Sequence, residues 1–99
     1  MDRNDVITRL KAIEPRLRAH GVGALYLFGS YARDEARQHS DVDVFVDPSN
    51  EEFYSLNHFV GAFEIIRDAM PGMDVGYGTR GGLSKYIRPD AEREAIRIF

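Results

Sequence analysis

Between Asp41 and Val46 the chain reads Asp-Val-Asp-Val-Phe-Val, a two-residue period that fits a strand and no helix. Successive side chains of a strand point to opposite faces, so Asp41 and Asp43 share one face. Val42, Val44 and Val46 form a stripe on the other. The fold must therefore contain a sheet with one dry face and one face carrying two neighbouring carboxylates. Like charges side by side are costly unless something positive sits between them. Magnesium, held by one or two carboxylates and completing its shell with water and phosphate oxygens, is one remedy. Solvation on an edge strand is the other, and for a bare Asp-x-Asp it is the commoner one.

The segments around this strand alternate in period. Val6, Leu10, Ile13 and Leu17 fall on one helical face. Pro15 predicts a kink or a break between two helical pieces, and His20-Gly21 a glycine stop. Ala24 to Phe28 is a short apolar run read as a buried strand. Tyr31 to Arg37 read as a short helix with Ser30 as its N-cap. After Pro48-Ser49-Asn50, the residues Phe53, Leu56, Val60, Phe63, Ile66 and Met70 predict a long helix with one apolar face, stopped by Pro71-Gly72. Met73 to Tyr77 read as a third strand and Ile87 to Ile98 as a last helical stretch. The expected class is a mixed α/β (α+β) domain, a small mixed sheet flanked by helices.

The 99 residues fit one compact domain spanning 1–99. A net charge of -3 makes direct nucleic-acid binding through bulk charge an unfavourable expectation. The absence of cysteine excludes thiolate zinc sites and cysteine nucleophiles. No apolar run approaches the roughly 20 residues that span a bilayer, and the polar start Met1 to Asp5 lacks a signal-peptide core. No membrane association and a cytoplasmic location are the resulting expectations.

Gly29-Ser30 gives the aspartate pair a context. Glycine after a buried strand lets the backbone approach a ligand, and a capped helix start leaves N–H groups free for phosphate. Taken alone this is an ordinary strand-to-helix turn. Followed at once by a strand that opens with two carboxylates, it presents phosphate donors and metal ligands to one cleft.

Gly29-Ser30-Tyr31-Ala32-Arg33 with Ser40-Asp41-Val42-Asp43-Val44 resembles the signature of the minimal nucleotidyltransferase family, within the polymerase-beta-like nucleotidyltransferase superfamily. The resemblance implies magnesium and a nucleoside triphosphate, ATP, as substrate, with Gly29, Ser30, Arg33 and Ser40 on the nucleotide. It also implies that Asp41, Asp43 and Asp74 are catalytic metal ligands, Asp74 matching the family's third carboxylate and accepting the acceptor's proton. Chains of this form often pair with a helical HEPN ribonuclease toxin, so the implied acceptor is a tyrosine of that toxin and the implied role that of an antitoxin. A module that masks a partner without catalysis, and an enzyme acting on a small hydroxylated molecule, are the rival readings. The family usually has glycine after the arginine; here Asp34 stands there, and an acid aimed into the cleft would weaken nucleotide binding.

Other motifs carry less. Gly76-Tyr77-Gly78-Thr79-Arg80-Gly81 has the glycine spacing of a dinucleotide loop, but too little chain follows it for the helix, strand and distant acid such a site needs. His20, His39 and His58 lack metal-ligand spacing. Arg80, Lys85 and Arg88 read as a basic rim near the cleft or a solvated loop, and the charges from Asp90 to Arg97 as a wet helix face.

Overall fold

The computed structural model describes residues 1–99. Its centre is a four-stranded sheet in the order β3-β2-β1-β4, built from β1 (Val22–Phe28), β2 (Val42–Pro48), β3 (Val75–Thr79) and β4 (Ile96–Arg97). β1 runs antiparallel to β2 and β4, while β3 is parallel to β2. A parallel pair needs a crossover, and α4 (Leu56–Ala69) supplies it.

The valine stripe of β2 does what its period demands. Val42, Val44 and Val46 are buried with Leu25 and Leu27 of β1, and the cluster continues into Val6, Leu10, Leu17, Ala62, Ile66 and Met70. Those last residues come from α1 (Arg3–Ala12), α2 (Glu14–Ala19) and α4 or its end. Each large aliphatic side chain buried here contributes roughly 1.5–3 kcal/mol. Pro15 falls in the first turn of α2, where its missing N–H costs nothing, so the helical stretch breaks in two at Ile13 without losing its apolar face. The opposite sheet face carries Tyr26, Phe28, Asp43, Phe45 and Asp47. Tyr26 stacks on Phe45 at 4.8 Å between centroids, and α5 (Arg88–Glu94) lies over this side of β1.

Four expectations are corrected. The segment after β1 forms only one turn, α3 (Gly29–Ala32), capped by Phe28 with no side-chain hydrogen bond, so Ser30 is not the N-cap. Phe53 sits in a separate 3-10 turn, Glu51–Tyr54, and Ser55 caps α4. That restart turns Leu56 and Val60 outward, leaving Leu56 77 % exposed. The third strand begins at Val75, with Asp74 just before it. The final stretch is a short helix followed by β4, whose edge pairing to Tyr26 and Leu27 overrides helical continuation.

Asp34 explains itself. Its φ is +60°, and its N–H bonds to the Tyr31 carbonyl at 3.2 Å while the Glu35 N–H reaches Ser30 at 2.8 Å. This paired closure of a helix end needs a left-handed residue, usually glycine. Aspartate tolerates that conformation better than most residues. Its neighbours are Asp2, Arg3 and Asn4, away from the Gly29 side of the turn. Asp34→Gly is therefore expected to raise stability by up to about 1 kcal/mol, and Asp34→Val to lower it by about 1–2 kcal/mol. Urea denaturation measures both, and a glycine variant less stable than the parent would contradict the assignment.

Candidate active site

On the open face of the sheet, Asp43 sits in a cradle made by missing side chains. A Cβ on Gly29 would lie 2.4 Å from one Asp43 carboxylate oxygen, and a Cβ on Gly76 would lie 2.6 Å from the other. Gly29 also has a φ of +75°, so both backbone conformation and space require glycine there. Gly76 is opposite Asp43 in the β2–β3 register and is needed only for space. The first glycine of the rejected dinucleotide motif thus has a use that no spacing rule contains.

The electrostatics of Asp43 match its position. Burial, then the Asp41 charge and a smaller contribution from Glu94, push its carboxyl above the ordinary range, while Arg33 pulls the other way. An Asp with a raised folded-state pKa favours the fold when protonated. Its contribution is present below the unfolded carboxylate pKa and is lost as pH rises through the folded one. At neutral pH Asp43 is therefore a charge whose position costs stability, and a cation beside it would relieve that cost.

Asp43 lines a cavity of about 590 Å³ with Phe28, Gly29, Ser30 and Arg33 on the sheet side. Tyr86, Ile87, Asp90, Ala91, Arg93 and Glu94 form the opposite wall. Glu94 reaches across it, accepting from the Gly29 N–H at 3.0 Å and from Arg33 Nη1 at 2.9 and 3.1 Å. Arg33 also pairs with Glu35 at 3.2 Å. Sequence reasoning missed Glu94 because it falls within a run of alternating charge that reads as solvated surface.

Three expected site residues, Ser40, Asp41 and Asp74, lie outside the lining of this cavity. Ser40 accepts from the Arg37 N–H at 2.8 Å, so its hydroxyl shapes the turn into β2 and does not face the cavity. It lines a smaller recess with Gln38, His39, Gly72, Met73 and Asp74. Asp74 directly precedes the Val42–Val75 pair, one residue before it as Asp41 is on β2, and its carbonyl accepts from the Val42 N–H at 2.9 Å. No three histidine, aspartate or glutamate side chains are gathered closely enough to hold a metal by themselves. The donor set that does exist is Asp43 on β2, which lines the cavity, and the exposed Asp41 just before that strand, close enough for its charge to raise the Asp43 carboxyl. That set fits magnesium, which takes one or two carboxylates and leaves its other positions to phosphate and water.

Of the basic residues near the cleft, Arg80 is structural. It forms a two-pronged pair with Asp47 at 2.9 Å on each arm and holds Glu92 of α5 at 2.8 Å. Its guanidinium lies 4.9 Å from the Tyr26 ring centroid and 5.0 Å from that of Phe45. Asp47 keeps this arginine protonated well beyond its usual range.

The nucleotidyltransferase domain family matches residues 6–98. The chain belongs to that family. This nucleotidyltransferase is 35 % identical over 97 residues to the protein adenylyltransferase MntA of Thermococcus cleftensis, covering 90 % of the present chain and 95 % of that relative. A solved structure assigned to a minimal nucleotidyltransferase superposes with a TM-score of 0.78 and 31 % identity, covering 97 % of this chain and 95 % of the other. A toxin–antitoxin crystal structure with AMP-PNP shares the fold, at a TM-score of 0.65 and 18 % identity, over 100 % of this chain and 73 % of the other. No helix is long and apolar enough to cross a membrane.

Two substitutions test the cradle. Gly76→Ala pushes only against the movable end of Asp43, so it should cost less than about 1.5 kcal/mol of stability. By re-aiming that carboxylate it should weaken binding of magnesium and ATP at least about tenfold, a loss of about 1.4 kcal/mol. Calorimetry with unchanged affinity would contradict the cradle. Asp43→Asn removes the half-buried charge, so the variant should melt higher than the parent at neutral pH while losing magnesium–ATP binding. A lower melting temperature would show that Asp43 stabilises the fold instead.

Proposed function

We propose that the chain transfers AMP from magnesium–ATP to a tyrosine hydroxyl on a helical HEPN toxin and thereby acts as its antitoxin. The observation that carries the reading is the conjunction in one open cavity of the cradled Asp43 carboxylate with the anion-holding Gly29 N–H and Arg33. Family membership, the MntA relative and the toxin–antitoxin neighbour support it.

In this reading Asp41 and Asp43 hold the magnesium, which when bound supplies neutralising charge for the phosphates. Gly29, Ser30 and Arg33 orient the triphosphate so that its α-phosphorus faces the opening. The acceptor oxygen attacks that phosphorus, the bond to the bridging oxygen breaks, and pyrophosphate leaves. Asp74 is exposed just before the first residue of β3, and in the proposal it takes the proton that the tyrosine loses. That help is needed because a free phenol titrates near about 10. The open cavity suits an acceptor presented by another protein. A nucleotide attached to the toxin adds charge and bulk to a surface that must approach RNA, as phosphorylation does.

Intact-mass measurement tests this after incubation with ATP, magnesium and the toxin. The toxin should gain one or more AMP groups, mapped to tyrosine, with the parent chain. Asp74→Asn should retain magnesium–ATP binding yet transfer at least about a hundredfold more slowly, the lower end of the usual contribution of a general base. A complex that suppresses toxicity with no mass gain would favour the masking module over the enzyme.

A further inference from the structure

We propose that Glu94 is an internal stand-in for a phosphate. Its carboxylate competes with the triphosphate for the Gly29 N–H and the Arg33 guanidinium, and nucleotide binding requires its release. The proposal rests on the nucleotide reading of this cavity and adds to it a residue that sets the affinity.

The geometry is that of an occupied anion site. One Glu94 oxygen accepts from both the buried Gly29 N–H and Arg33, and the second accepts from Arg33 again. A carboxylate and a phosphate satisfy such donors with the same kind of charge-assisted bond. Both cannot be there at once, since a single N–H and one face of a guanidinium offer no second set of donors in that direction. The arrangement also carries a cost that favours exchange. Glu94 adds its charge to that of Asp41 in raising Asp43, so the resident carboxylate works against the metal-binding pair. α5 has other anchors besides this contact. Arg80 fixes α5 through Glu92, Ala91 is buried beneath the helix, and Ile98 continues the chain onto β1. The side chain at position 94 can therefore leave while the helix that carries it stays.

Release would be selective for the ligand that brings cations with it. Metal-loaded triphosphate neutralises Asp41 and Asp43 as it replaces Glu94, whereas a bare anion meets both carboxylates uncompensated. Without ligand the carboxylate then fills the anion position, and Arg33 is kept in place for the phosphate that follows.

Calorimetric titration with magnesium–ATP, and separately with magnesium–tripolyphosphate, provides the test on the parent chain, Glu94→Gln and Asp90→Asn. Asp90 lines the same cavity and pairs with the exposed Arg93, so its variant removes an equal charge without freeing the Gly29 and Arg33 donors. Glu94→Gln should bind both ligands about five- to tenfold more tightly than the parent, and Asp90→Asn should change affinity less than about twofold. Glu94→Ala should shift in the same direction as Gln if the glutamine variant folds poorly. Magnesium–ATP binding by the parent with no gain in the Glu94 variants, or an equal gain in Asp90→Asn, overturns the competition and leaves the nucleotide reading standing. Tighter tripolyphosphate binding in Glu94→Gln with no ATP binding by any chain keeps the competition and removes the nucleotide reading. No binding of either ligand by any chain overturns both.

Discussion

β2 is paired on both edges, and its two-residue alternation governs both sides of the molecule. One set of side chains, Val42, Val44 and Val46, closes the main core against α1, α2 and α4. The other set, Asp43, Phe45 and Asp47, builds everything on the opposite face. A shift of one residue in register would exchange the two sets, burying carboxylates in the core and exposing the valines. The core therefore fixes the aspartates' direction as firmly as it fixes the fold. The cost of a charged residue in a central strand is borne by the hydrophobic layer behind it.

On the open face, polar and apolar groups divide the work along β2. Asp47 and Phe45 belong to the Arg80 clamp, in which a guanidinium lies against two aromatic rings and ties α5 to the sheet. Because the geometry is two-pronged and partly shielded, this pair is stronger than an ordinary surface ion pair. Asp43, one step beyond Phe45, is left with backbone glycine on two sides and no cation of its own. Stability and site are thus separated by two to four residues on one strand. The clamp holds the wall of the cavity, and the cradle keeps one carboxylate free to act.

Much of this was legible in the sequence because β2 announces itself by period. The apolar run before Gly29 and the Gly-Ser turn are equally plain, and together with β2 they place the motif at residues 27–47, with Asp74 expected to join it from a later strand. Helix boundaries were read less well. Ser55 restarts the helix after a 3-10 turn, and no periodicity rule separates Phe53 from the face that follows. The tail was misread because a helix and a two-residue strand both accept Ile96 and Ile98, and only the exposed edge of β1 decides between them. Glu94 and Gly76 were invisible for a different reason. One is a charge in a charged run and the other a glycine in a glycine-rich loop, and each acquires its role from a residue more than thirty positions away. Ser40 is the opposite case, a residue of the motif whose hydroxyl oxygen accepts a hydrogen bond within the turn.

The most direct measurement is a crystal structure with manganese and a non-hydrolysable ATP analogue, with the metal located by its anomalous scattering. The account predicts manganese against the Asp41 and Asp43 carboxylates, a phosphate oxygen on the Gly29 N–H and Arg33, and Glu94 turned away. Manganese bound elsewhere, or a triphosphate that leaves Glu94 on Gly29 and lies outside this cavity, would contradict it.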